Sequence, residues 1–402
     1  MQKKLSFVKR FSLFYKECVS FYSFYKKNNR QFRDIVFYSE ETQYISFFDG
    51  LMDALINNHD AKFCYVTSDY NDPILSSHSP NIRAFYIRTL FSLFLPFLSS
   101  KVIILTMPDL NQFHIKKSTK GTNHIYVFHS LVSTHMIYRL GAFNHYDTIF
   151  CAGPHHIQEV RQTEKLYNLN PKRLLEVGYN RVERIYSDHK NYIQKSNSEA
   201  NAKTKAKANL KKCVLIAPSW GELNIIESCG KELIEPLLRS GYMVVLRPHP
   251  VTITKKPDQI LSLDYEFGSH ENFRLDTKTE SEEFIHDADV LVCDWSGIAL
   301  EYAFGTERPV LFIDIPRKIH NPEYEKLDIE PIEVLLRVQI GKIIKRDDVP
   351  KADKIISDFL TNREFYRDKI VSAREKYVYN FGKSSEIGAQ FIMEICNSQN
   401  SQ

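Results

Sequence analysis

The chain has 402 residues, a formal net charge of +4, 43% hydrophobic and 25% charged residues, which is the composition of a folded globular protein long enough for two domains. A disordered or fibrous chain and a single small binding module are excluded. Seven cysteines without a Cys-x-x-Cys pair argue against a zinc ribbon or a disulfide scaffold and fit a reducing cytoplasm, while the glycines form neither Gly-x-Gly nor the Gly-x-x-x-x-Gly-Lys cradle, so any phosphate site is built differently.

Residues 1–30 hold eight Lys/Arg against the single acid Glu17, interleaved with Phe7, Phe11, Phe14, Tyr15, Phe21, Tyr22, Phe24 and Tyr25. This basic, aromatic, amphipathic segment has two readings, a helix lying on an anionic membrane surface or a helix packed on the protein itself. Residues 89–100 (TLFSLFLPFLSS), broken by Pro96, read as a buried helix, and no run is long enough to span a bilayer. Strand-like runs at 34–38, 63–67, 102–105, 125–128, 148–151 and 174–177 alternate with segments of helix or loop length, the pattern of a parallel α/β sheet over residues 31–187. A Lys-rich stretch at 188–212 reads as an exposed linker, better suited to solvent than to nucleic acid because only Tyr192 is there to stack on a base. A second alternating block, 213–378, carries strand-like runs at 213–217, 243–246, 290–293 and 310–313 and a helix at 222–239, and residues 379–402 supply a closing helix. Two Rossmann-like, doubly wound domains facing a cleft are expected, with ligand at the carboxyl ends of the strands.

Candidate chemistry falls at those ends. Arg247 and His249 in Leu-Arg-Pro-His-Pro follow a strand-like run and suit phosphate oxygens, or form a rigid charged loop. Asp294, Ser296 and Gly297 sit at a strand-to-helix turn, where backbone N–H groups favour an anion and Ser296 is also a good N-cap. Glu301, in the second turn of that helix, reaches a ribose hydroxyl or faces water. Six histidines (124, 129, 135, 145, 155 and 156) crowd the first block without a metal-ligand spacing, so no metal is expected. His129 ends a strand-like run at the cleft mouth, where a neutral imidazole is suited to deprotonate a hydroxyl. His155 and His156 open a helix and either line the cleft or only border it. No Gly-x-Ser-x-Gly elbow is present, so direct displacement is simpler than covalent catalysis.

Five motifs in order resemble those of the CDP-glycerol:poly(glycerophosphate) glycerophosphotransferases, the primases and polymerases of teichoic-acid and capsule synthesis. Phe128-His129-Ser130 resembles the family's Trp-His-Gly, Gly178-Tyr179-Asn180-Arg181 its Gly-Tyr-Pro-Arg, and Ala217-Pro218-Ser219-Trp220 its Ala-Pro-Thr-Trp. Arg247-Pro248-His249-Pro250 matches its Arg-x-His-Pro, and Asp294-Trp295-Ser296-Gly297 resembles its Asp-Tyr-Ser-Ser. The resemblance implies a GT-B type fold, peripheral on the cytoplasmic membrane face. It implies His129 as base, with His249 sharing the catalytic work. Ser219, Arg247, His249, Asp294, Ser296, Gly297 and Glu301 would hold the donor's pyrophosphate and nucleotide, and Ser130, His155 and Arg181 would face the acceptor. The implied reaction moves glycerol phosphate or a related polyol phosphate from a CDP-alditol to a polymer or lipid-linked saccharide and releases CMP, without cofactor. Departures at Ser130, Asn180 and Gly297 leave room for a nucleotide-sugar glycosyltransferase or epimerase on the same fold, and the basic amino-terminal segment leaves room for a non-catalytic partner that docks on membrane or on a polymerase complex.

Overall fold

Two parallel sheets organise the computed structural model, which describes residues 7–202, 211–277 and 283–398. The first contains β1 (Ile35–Ser39), β2 (Phe63–Thr67), β3 (Ile82–Tyr86), β4 (Val102–Leu105), β5 (Asn123–Val127), β6 (Thr148–Cys151) and β7 (Arg173–Glu176), in the order β3-β2-β1-β4-β5-β6-β7. The second contains β8 (Cys213–Ile216), β9 (Met243–Leu246), β10 (Phe273–Leu275), β11 (Val290–Cys293), β12 (Val310–Asp314) and β13 (Gly341–Lys345), in the order β10-β9-β8-β11-β12-β13. Both orders reverse next to the first strand of the domain, between β1 and β4 and between β8 and β11, the doubly wound arrangement expected from the alternating pattern.

Central strands are mostly apolar because both faces are covered. In β1, Val36 and Tyr38 join Ile103, Leu105, Phe91 and Phe94 on one face, while Ile35 and Phe37 join Val102, Ile104 and Phe63 on the other. In β8, Val214 and Ile216 pack with the helix Ile225–Arg239, and Cys213 and Leu215 with the helix Ile298–Thr306. The side-chain period of two along a strand thus feeds two core layers per sheet.

The linker expected at 188–212 is corrected in part. One helix, Asn180–Ala202, runs through the expected domain boundary at 187. Val182, Ile185 and His189 are buried at helical spacing, and Val182 and Ile185 join the core that includes Ala299, Leu300 and Ala303. An apolar stripe that sparse does not stand out from the polar residues around it. Residues 203–210 lie outside the described residues.

The chain therefore leaves the first domain at Gly178, before the predicted limit. Gly178 has φ +106°, and a Cβ there would stand 2.2 Å from the carbonyl oxygen of Tyr379, where the chain returns. Beyond Tyr379, whose N–H donates to Ala152 O at 2.9 Å, the closing helix Ser384–Ser398 places Ala389, Ile392, Ile395 and Cys396 in the first domain's core. The two crossings touch, so the chain passes between the domains both times at the same place.

At the amino terminus, the helix Phe7–Phe24 buries Leu13, Glu17 and Phe24 against the first domain. The Glu17 carboxylate accepts from the backbone N–H groups of Arg88 and Leu90, both at 2.6 Å. Its other face exposes Val8, Phe11, Tyr15, Val19 and Tyr22. The stretch 89–100 forms the short helices Phe91–Phe94 and Leu95–Phe97, burying Phe91, Phe94, Leu95 and Leu98. Among the described residues no helix is long and apolar enough to cross a membrane.

Candidate active site

A cleft of about 440 Å³ lies between the carboxyl ends of the two sheets. The first domain lines it with Asp109, His129, Ser130, Tyr138 and Arg139, the second with Ser219, Trp220, His249, Ser296, Gly297, Lys318 and His320. His129 follows β5, Ser219 and Trp220 follow β8, His249 follows β9, Ser296 and Gly297 follow β11, and Lys318 follows β12. A parallel sheet directs all of these loops to one end.

His129 is caged by the rings of Tyr44, Phe47 and Tyr138, with centroids 5.7, 6.1 and 5.9 Å away. Its Nδ1 lies 3.1 Å from the carbonyl oxygen of Thr106, an atom that only accepts. Nδ1 therefore carries the proton and Nε2 keeps its lone pair. Burial pushes this imidazole down to about 4.

His249 is held in the opposite sense. It caps the helix Pro250–Lys255, and its Nδ1 accepts from the backbone N–H of Val251 at 3.1 Å. The proton of the neutral ring is then on Nε2, a donor. Burial, reinforced by the nearby Lys318 ammonium, pushes His249 down to about 4 as well. The cleft thus holds one imidazole fixed as a proton acceptor and another fixed as a hydrogen-bond donor.

Cationic and dipolar groups gather beside His249. Lys318 Nζ lies 4.1 Å from the centroid of the Trp220 ring, and burial pulls its ammonium down to about 8 against the opposing pull of Asp294. The helix Ile298–Thr306 opens towards the cleft with Gly297 at its N-cap and no side-chain cap, so its first N–H groups are not closed off by a cap side chain. The Ser296 hydroxyl stands one residue before that cap. A diphosphate suits this set, which offers an ammonium, a neutral imidazole N–H, hydroxyls and a helix N-terminus.

The family model described as CDP-Glycerol:Poly(glycerophosphate) glycerophosphotransferase matches residues 20–392. The chain belongs to this family. Among solved structures, it is similar to the wall teichoic acid polymerase TagF, with a TM-score of 0.63 at 15% identity over 98% of this chain and 97% of that one. It is also similar to TagF soaked with CDPG (0.63, 14%, 99% and 100%) and to a UDP-GlcNAc 2-epimerase from Neisseria meningitidis bound to UDP-GlcNAc (0.53, 13%, 90% and 99%). Identities this low carry the fold, which is of GT-B type as expected. A comparison with curated protein sequences returns no match.

Not every motif residue faces the cleft. Asp294 is buried behind it, accepting from the N–H groups of Ser219 at 2.7 Å and Trp295 at 2.6 Å. It ties the loops after β8 and β11 together, so this carboxylate positions the loops that carry Ser219 and Ser296. Arg247 lies outside the cleft lining and pairs with the buried Asp276, Nε to Oδ2 2.6 Å. Glu301 is buried and outside the cleft lining: it accepts from Tyr179 Oη at 2.7 Å and Arg181 Nε at 2.9 Å, tying the second domain to the crossing segment. Arg181 is thereby spent on the interdomain clamp and lies over the Phe47 ring. His155 does open the helix Pro154–Leu166, but it is buried, with Nε2 3.1 Å from Leu131 O.

His155 instead supports the loop that carries Ser130. His156 bonds Val132 O at 3.2 Å, Glu159 accepts from Thr134 Oγ1 at 2.7 Å, and Glu333 of the second domain accepts from Ser133 N at 2.9 Å and Oγ at 2.8 Å. Burial raises Glu333 to about 7. Of the six histidines, only His129 reaches the cleft, and among the described residues no three metal-ligating side chains converge. Sequence reasoning missed Lys318, Tyr138, Arg139, His320 and Asp109. For Lys318 a signal existed, since Arg317-Lys318 lies just past the carboxyl end of β12, after Ile315 and Pro316.

Proposed function

We propose that the protein transfers glycerol phosphate, or a related polyol phosphate, from a CDP-alditol to a hydroxyl of a cell-surface polymer or lipid-linked saccharide, with release of CMP. The observation that carries this reading is the pair of histidines fixed in opposite tautomers on the two walls of the cleft. His129 Nε2 takes the proton of the acceptor hydroxyl as its oxygen attacks the β-phosphorus. The bond from that phosphorus to the bridging oxygen breaks, and the oxygen leaves with CMP. His249 Nε2–H, Lys318, Ser296 and the N–H groups at Gly297 stabilise the charge that gathers on the leaving phosphate. Bringing the reactants together between two domains supplies most of the remaining acceleration.

The reading extends to location. The exposed stripe Val8, Phe11, Tyr15, Val19 and Tyr22, with Lys9, Arg10 and Lys16 close by, suits the cytoplasmic face of an anionic bilayer, where aromatic and basic groups add affinity together.

The test is a thermal-shift and CMP-release assay with CDP-glycerol, CDP-ribitol, CMP, UDP-sugars and GDP-sugars. Stabilisation by CDP-alditols and CMP, with CMP release that depends on acceptor, is the expected result. Stabilisation by a nucleotide sugar alone would move the chemistry to glycosyl transfer, and no nucleotide release with any pair would make the chain a non-catalytic partner.

A further inference from the structure

The segment that follows His129 is bonded by both domains. His155 and His156 hold the carbonyls of Leu131 and Val132, and Glu159 accepts from Thr134 N and Oγ1, all within the first domain. At Ser133 and from His135 to Ile137 the partners belong to the second domain. The Glu333 carboxyl group, in the helix Ile332–Arg337, accepts from Ser133 N at 2.9 Å and Oγ at 2.8 Å. The His135 ring donates through Nε2 to Ile329 O at 2.9 Å, and the Asn321 side chain donates to His135 O at 2.9 Å. Backbone N–H groups of His320 and Asn321 share Met136 O, at 3.0 and 3.2 Å, and His320 Nδ1 donates to Ile137 O at 2.8 Å.

Both sides of this seam lead into the cleft. Tyr138, directly after Ile137, is one of the rings around His129, and Lys318, just before His320 in the chain, lines the second domain's wall. The seam itself stays out of the cleft, since Ser133, Asn321 and Glu333 are buried and outside its lining. Asn321 is fixed in turn on its own loop, where Oδ1 accepts from Glu323 N at 3.1 Å. Were the second domain to draw back, Ser133, His135, Met136 and Ile137 would exchange these partners for water, and Tyr138 would lose the anchored segment that leads to it. A cage with one wall loosened admits water to the imidazole, whose low titration comes from burial.

We propose that Asn321 and Glu333 are positioning residues that seat the segment 133–137 on the second domain and, through Tyr138, close the cage around His129, so that the base is buried and directed only while the two domains are together. The device fits a displacement whose reactants are held by different domains, because the wall that brings the donor also completes the base. Neither residue touches the reacting atoms; each acts through the backbone that carries Tyr138 and Ser130. The role in turnover rests on the transferase reading above, whereas the seating of His129 does not.

The experiment titrates His129 by imidazole NMR on the full chain, its signal assigned by loss in His129→Gln. His124 is the reference, since it is buried at the other end of β5, with Nδ1 3.1 Å from Asp147 Oδ2. In Glu333→Ala and Asn321→Ala, His129 should titrate above about pH 5, towards the solvated value, with His124 unmoved. Turnover should follow, kcat falling about tenfold or more, the cost of a misplaced catalytic group, while KM for CDP-glycerol changes less than about threefold. Glu333→Gln should keep both properties, because a carboxamide accepts from Ser133 N and donates to Ser133 Oγ. Ser133→Ala removes one bond and should move His129 the same way by less, which keeps the test open if the other variants do not fold. A His129 titration unmoved in every folded variant, a shift that His124 shares, or a donor KM that rises at constant kcat would overturn the proposal. No CMP release from CDP-glycerol by the unmodified chain would instead remove the transferase reading and leave the NMR result to decide the seating of His129.

Discussion

Ser130 and Gly297 oppose each other across the cleft, and a Cβ placed on Gly297 would stand 2.5 Å from Ser130 Oγ. These are two of the positions at which the chain departs from its family's motifs, where a Gly stands in place of Ser130 and a Ser in place of Gly297. The large and small partners have changed sides, and the space between the domains is kept. Gly297→Ser alone should force the loops apart and lower kcat/KM by roughly 10- to 100-fold, and adding Ser130→Gly should recover most of it. A coupling of about 1–2 kcal/mol in the double-mutant cycle is expected for directly touching residues. Additive effects in steady-state kinetics would show that the two positions act separately.

The fixed tautomers separate the roles of the two histidines. His129→Ala should lower kcat by roughly 10²- to 10⁴-fold, the usual share of a general base, with CDP-glycerol affinity little changed. His249→Ala should weaken donor binding about tenfold, as the loss of a hydrogen bond to an anion does. Both rings are pushed down to about 4 by burial, so His129 stays neutral and competent as the pH falls from 7 to 5. The acid limb of kcat/KM that belongs to His129 should therefore lie near pH 4. Bound diphosphate favours the protonated imidazole and should move the limb of kcat upwards. A limb of kcat/KM at 6.5 would mean that the imidazole is solvated.

Much of this architecture was legible in the sequence because central parallel strands are apolar on both faces. Each of the ten expected strand runs coincides with a strand, and those missed, β3, β10 and β13, are all edge strands. Their sequences, Ile-Arg-Ala-Phe-Tyr, Phe-Arg-Leu and Gly-Lys-Ile-Ile-Lys, mix charge into the run because part of each strand meets water. His129, His249, Ser296 and Gly297 were found by their position after strands, and Ser219 by the resemblance of its motif to the family's. The direction of a side chain was not legible: Arg247, Asp294 and Glu301 lie as close to strand ends or helix starts as the cleft residues do, yet their partners are Asp276, the Ser219 N–H and Arg181, which only the folded chain brings near.

Lys318 should give the donor site an alkaline limit. Burial pulls its ammonium down to about 8, so the positive charge offered to a diphosphate is present below that pH and is lost as the pH rises through it. Affinity for CDP-glycerol should fall by about fivefold or more between pH 7 and 9, by analogy with the loss of one charge-assisted hydrogen bond. Lys318→Met should bind weakly at both pH values. Isothermal titration across this range checks the point, and a pH-independent affinity in the unmodified protein would detach Lys318 from the phosphate.

The clamp of Tyr179, Arg181 and Glu301 should act on stability rather than on donor binding. Glu301→Ala leaves the largely buried Arg181 guanidinium without its carboxylate, and breaking such a pair costs about 3–5 kcal/mol when burial is complete. With Arg181 partly exposed, about 2–3 kcal/mol is expected, read as a lower denaturation midpoint. Donor affinity should stay within about twofold. A large loss of nucleotide affinity at unchanged stability would return Glu301 to the ribose.

The amino-terminal helix is best tested on its exposed face, because Glu17 and Phe24 belong to the fold and removing the whole segment would uncover the first domain's core. Phe11, Tyr15 and Tyr22 are 67%, 66% and 70% exposed, so replacing all three with Ser should leave thermal stability nearly unchanged. If the face meets lipid, sedimentation with vesicles containing phosphatidylserine should drop several-fold in the triple variant, since each buried aromatic ring contributes on the order of 1–2 kcal/mol. Replacing Lys9, Arg10 and Lys16 with Gln should have its greatest effect at low salt, where surface attraction is least screened. Unchanged sedimentation in both variants would leave this face to a protein partner.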